Sequence, residues 1–116
     1  MAETADLHLD VEGALKRVGN DRDLLRELYD AFLGDAPNKV RLLKQALKDK
    51  DMPLVVKQAH SLKGASAAIG AVECRRLAEA LEMAGRSQDG EEAGLLLTKV
   101  LHEVGLVLGM ISGRIF

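Results

Sequence analysis

Apolar residues recur at three- and four-residue steps along most of the chain, and no stretch alternates apolar and polar residues over a strand's length. That pattern predicts an all-α protein. A first helix is expected over Leu9 to Val18, with Asp10 placed to cap it and Gly19 to stop it. A second starts at Asn20 or Asp21 and turns Leu24, Leu25, Leu28, Phe32 and Leu33 inward. Pro37 is expected to break or kink it, with Val40, Leu43 and Leu47 continuing the stripe to about Lys48. Asp51 and Pro53 open a third helix that ends near Gly70, and Val55, Ala59, Leu62, Ser66 and Ile69 form its buried side. The fourth runs from about Val72 to Gly85, with Leu77, Leu81 and Ala84 inward. After a turn at Asp89–Gly90, a last helix offers Leu97, Val100, Leu101, Val104, Val107, Leu108 and Ile111, and Leu106 and Met110 are assigned to bundle packing as well. These elements predict one domain over residues 1–116, an antiparallel four-helix bundle with a short extra N-terminal helix.

Composition narrows the functional classes. The 116 residues are 47% apolar and only 3% aromatic, without Trp, which favours helices packed through aliphatic side chains. A net charge of −2 carries no footprint for nucleic acid. Cys74 is the one cysteine, so no internal disulfide forms and a reducing, cytoplasmic setting is expected. Met1 to Asp10 lacks the pattern of a signal peptide, and the apolar run Val104 to Ile111 is too short to span a bilayer, so no membrane partner is expected.

The chemistry concentrates at His60. At about 100° per residue, the buried stripe of the third helix centres about 220° away from His60. Lys57, Lys63, Gly64 and Ala67 lie within about 60° of the imidazole on the opposite face. Gly64, Ala67 and Ala68 clear that face of bulk, and Lys63 one turn on can neutralise an anionic group arriving at the ring. A neutral imidazole has one ring nitrogen with a free lone pair near physiological pH, so an exposed one can carry a transferable group. The three properties together suggest phosphoryl transfer through histidine. The short turn at Gly70–Ala71 makes the third and fourth helices a hairpin, and His60 and Glu82 lie equally far on either side of Ala71. Glu82 can then accept the Nδ1 proton and leave Nε2 as the outward nucleophile. Its other reading is a solvated carboxylate paired with Arg86 one turn on.

The run Ala59-His60-Ser61-Leu62-Lys63-Gly64-Ala65-Ser66, followed by Ile69-Gly70-Ala71, resembles the signature of histidine-containing phosphotransfer (HPt) domains. Leu24 to Pro37 and Leu77 to Glu82 resemble that family's second and fourth helices, so the likeness extends from about Leu9 to Leu108. It implies a four-helix bundle whose histidine takes a phosphoryl group from one protein and passes it to another in a two-component phosphorelay. Carried over, His60 is the phosphoacceptor, Lys63 the cation beside the phosphate and Gly64 the point of close approach. Some members have glutamine near the position of Glu82, whereas chemotaxis-kinase phosphotransfer domains have glutamate. The implied partners are response-regulator receiver domains and a hybrid sensor histidine kinase, met by a monomer. No cofactor is implied on this chain; Mg²⁺ and the acceptor aspartate belong to the partner receiver. A carrier needs no ATP site, and the chain has neither a glycine-rich phosphate loop nor an Asp-x-Gly-x-Gly lid.

Three rival readings fit less of the sequence. The dimerisation and phosphoacceptor domain of a histidine kinase follows its histidine with an acidic residue and then a proline, where this chain has Ser61 and Gly64-Ala65. A di-metal bundle needs Glu-x-x-His pairs, and none of His8, His60 and His102 has a glutamate three residues before it. A helical adaptor that binds a receiver-like partner without chemistry would use the same face, and only phosphorylation separates it from a carrier.

Overall fold

In the computed structural model, residues 8–113 are described, and they form five helices. These are α1 (Val11–Arg17), α2 (Arg22–Lys48), α3 (Met52–Ile69), α4 (Val72–Arg86) and α5 (Gly90–Ser112). Aspartates start four of them. Asp10, Asp21, Asp51 and Asp89 each accept a hydrogen bond from the backbone N–H three residues on, which satisfies one orphan donor at the helix start. The helix ends close just as regularly. Asn20, Asp51, Ala71 and Asp89 each donate a backbone N–H to the carbonyl five residues back, over a residue with positive φ. At Gly70, φ is +76° and a Cβ would meet the Asp10 carbonyl oxygen at 2.4 Å. Only glycine fits there, because Asp10 also donates its N–H to the Gly70 carbonyl at 2.8 Å and so ties the N-terminal segment to the α3–α4 turn.

Turns of two or three residues make α2 to α5 antiparallel neighbours, and α5 packs back on α2 to close the ring. The core runs down its centre through Leu25, Phe32, Leu43, Val55, Leu62, Leu81, Val100 and Val107. Helices α3 and α4 pack tightly against each other. There Gly85 leaves no room for a side chain, since a Cβ would stand 2.9 Å from Val56 Cγ2.

The structure corrects several sequence expectations. Of the break or kink expected at Pro37, the break does not occur: α2 runs through it for 27 residues. The ring sits on the exposed side, where water can take the carbonyl it leaves unbonded. Leu24 is 39% exposed, while its neighbour Leu25 takes the core position in that turn of α2. Leu106 is 40% exposed and is not a packing residue, whereas Met110 does pack against the core. Helix α5 as a whole, unlike the run Val104–Ile111, is long and apolar enough to cross a membrane by length and composition; here its stripe from Ala93 to Ile111 closes the bundle.

Candidate functional site

His60 leaves the middle of α3 on the solvent side, with its side chain 65% exposed, while Ala59 and Leu62 beside it are buried. The hairpin turn brings Glu82 of α4 to the same height. Its side chain is 7% exposed, and its carboxylate meets the imidazole and two cations. His60 Nδ1 lies 3.2 and 3.3 Å from the two carboxylate oxygens. Lys63 Nζ lies 3.0 Å from Oε1, and the Arg86 guanidinium donates to Oε2 at 2.8 Å. The Arg86 hydrogen bond, with those from Lys63 and His60, outweighs burial and holds the Glu82 carboxyl at about 2, below its usual 4.5.

That ionisation state decides the tautomer. An ionised carboxylate only accepts, so Nδ1 is the donating nitrogen, and in the neutral ring the lone pair is then on Nε2. Glu82 is buried and not the solvated carboxylate of the alternative reading, although it meets Arg86 along its own helix as well as His60 across the hairpin. Lys63 stands differently from the open cation the sequence suggested. Its ammonium is turned onto Glu82, with Glu79 at 4.0 Å, and its side chain is 25% exposed.

Around the imidazole, Lys57, Gly64 and Ala68 are exposed and Ala67 is half-buried. No heavy atom lies within 4 Å of where a Gly64 Cβ would stand, so this glycine is open to solvent and packs against nothing. Further along the same helix, Arg17 of α1 donates to the Ala67 carbonyl at 3.2 Å. Helix α3 has no basic residue in its last turn, and Arg17 supplies the cation that its C-terminal carbonyls favour. Nothing in the spacing of Arg17 announces that contact. Among the described residues, no group of three or more His, Cys, Asp or Glu side chains lies together as a metal site would.

A family model for the Hpt domain matches residues 27–107, which include both hairpin helices and most of the bundle. The chain belongs to the Hpt domain family. Two solved structures agree with that membership. Histidine-containing phosphotransfer protein B from Pseudomonas aeruginosa PAO1 is 28% identical over 90% of this chain and 91% of that one, with a TM-score of 0.83. The HPT domain of the Hpt sensor hybrid histidine kinase from Shewanella is 24% identical over 92% of each chain, with a TM-score of 0.82. At that lower identity the second likeness speaks to the fold. No curated protein matches the chain. As an Hpt domain, the protein serves histidine phosphotransfer in a phosphorelay, and Hpt domains exchange phosphoryl groups with response-regulator receivers and hybrid kinases.

Proposed function

We propose that His60 is the phosphoryl-carrying residue of this Hpt domain and that Glu82, Lys63 and the face around Gly64 serve it. The observation that carries the reading is the Nδ1–Glu82 contact, which leaves the outward Nε2 as the nucleophile. In the forward step Nε2 attacks the phosphorus of a receiver's aspartyl phosphate. The N–P bond forms as the P–O bond breaks, and the electron pair leaves on the receiver's carboxylate. The imidazole ends as a phosphohistidine whose cationic ring is stabilised by Glu82 at Nδ1. Lys63 swings its flexible ammonium from Glu82 to the arriving phosphoryl oxygens, while Arg86 keeps Glu82 in place. Mg²⁺ and most of the charge stabilisation come from the receiver, so the site is complete only in the complex.

Lys57, Gly64, Ala67 and Ala68 form the landing surface for the receiver, and the protein acts as a monomeric cytoplasmic carrier. The single thiol fits a reducing compartment: Cys74 is buried, takes a hydrogen bond from Ser66, and burial pushes its pKa up to about 11.

The test is transfer from a panel of phosphorylated receiver domains, followed by mapping of the acid-labile phosphate. His60→Gln is expected to fold and to accept nothing. Retained transfer in that variant, with the label on His8 or His102, overturns the assignment.

A further inference from the structure

About two helical turns beyond His60, the same side of α3 runs into a cleft of about 260 Å³ at the α3–α4 turn. Its walls include Ala67, Ala71 and the exposed Val72, and its rim carries two guanidinium groups, Arg17 from α1 and Arg75 from α4. The volume is below the about 300–1,000 Å³ of small-molecule pockets and suits a single protruding side chain. The cleft is also rigid. Gly70 and Ala71 are locked by the bonds from Asp10 to Gly70 and from Ala71 to Ser66, at 2.8 and 2.9 Å, so little ordering is needed on binding.

Position and charge together select the occupant. Seven residues of α3 separate Ala67 from His60, about 10 Å along the axis. A transient protein contact covers roughly 600–800 Å² on each partner, a patch of about 14–16 Å radius. A partner centred on His60 therefore covers the cleft. No acidic side chain lines it, and on α3 the cation Lys63 lies between it and His60. We infer that this cleft is the specificity anchor for the receiver: it takes an apolar side chain of the receiver's docking face, with a neighbouring carboxylate of the receiver held between Arg17 and Arg75. The inference rests on the reading of His60 as the site that the receiver must reach. The apolar floor supplies affinity and the guanidinium rim excludes receivers without the acidic neighbour.

Arg17 also caps α3, so its loss mixes folding with docking. Arg75 separates them, because its side chain is half exposed and its nearest acidic neighbour, Glu79, is 3.9 Å away. The experiment uses the receiver domain that transfers fastest in the panel above and compares wild type, Arg75→Glu and Val72→Asp. For each, receiver affinity and transfer rate are measured beside direct labelling of His60 by phosphoramidate, which needs no docking. The expected result is a Kd raised at least tenfold and a second-order transfer rate reduced by a similar factor, with phosphoramidate labelling unchanged. Unaltered affinity and transfer in both variants overturn the anchor while leaving His60 as the carrier. Absence of labelling from phosphoramidate and from every receiver in the wild-type protein overturns the reading of His60 itself, and the anchor with it.

Discussion

Replacing Gly64 should move stability and docking in opposite directions. Glycine in an exposed helix interior costs about 0.5–1 kcal/mol relative to alanine, through backbone freedom lost on folding. At Gly64 nothing offsets a gain from Ala, because no heavy atom lies within 4 Å of the new Cβ. For a chain of 116 residues, an unfolding entropy of about 2.1 cal/mol/K per residue converts each kcal/mol into about 4 °C. Gly64→Ala should therefore melt about 2–4 °C higher, and Gly64→Gln nearly as much. The glutamine also projects beside His60 into the path of a receiver, so its Kd should rise at least tenfold, about 1.4 kcal/mol. Gly85→Ala supplies the contrast within the same hairpin. Its Cβ would stand 2.9 Å from Val56 Cγ2 and 3.2 Å from Val55 Cγ1, so overpacking should lower the melting temperature despite the better helix propensity. Calorimetry and receiver titration on the three variants read both effects. Wild-type affinity in Gly64→Gln would show that the cleared face is not where a receiver lands. A lower melting temperature in Gly64→Ala would refute the energetic reasoning itself.

The surroundings of His60 give two more predictions and the His8–Glu103 pair a third. Lys63→Ala should still accept phosphoryl groups but transfer about tenfold more slowly, because it neutralises charge and makes no bond; unchanged rates in both directions refute this. Glu82, whose folded pKa of about 2 lies below the unfolded 4.5, stabilises the fold fully above pH 4.5 and loses that contribution as the pH falls towards 2. Its cationic partners reach the surface and solvent screens them, so the contribution is about 1 kcal/mol, and the urea midpoints of wild type and Glu82→Gln should converge across that window. His8→Ala removes the 2.5 Å contact to the buried Glu103 and should cost about 1–3 kcal/mol by denaturant unfolding, while His60 labelling is untouched.

Much of this architecture was legible because short-range rules acted without interference. The cap aspartates at 10 and 51 appear as acidic residues before apolar-periodic runs and make their expected bonds, and of the two candidates at 20 and 21 it is Asp21 that caps. The His60–Glu82 register could be counted because the intervening turn is only Gly70–Ala71, and two stiff helices carry the count eleven residues without slipping. What escaped was set by neighbours remote in sequence. Pro37 is a breaker by local rules, but its place on the solvent side of a long packed helix decided otherwise. Lys50 and Gln88 adopt positive φ in the turns with no glycine to signal it, since the closing bonds of adjacent helices impose the conformation.

Glu103 is the instructive miss. It sits on the apolar stripe of α5 between Val100 and Val107, and a carboxylate at such a position requires a buried partner. His8, ninety-five residues away, is that partner, although histidine count alone had marked it only as one of three scattered rings. The two histidines that meet a glutamate through Nδ1 also differ in what else surrounds that glutamate. Glu103 has His8 as its hydrogen-bonding partner at the bundle's side, so that pair is a closed contact that ties the N-terminal segment down. Glu82 is shared among an imidazole and two mobile cations, one of which can leave for an incoming phosphate while the other holds the carboxylate still. On the proposed role of His60, a two-member pair would lose its balance when a dianion arrived, whereas this four-member cluster can exchange one contact and keep the ring oriented.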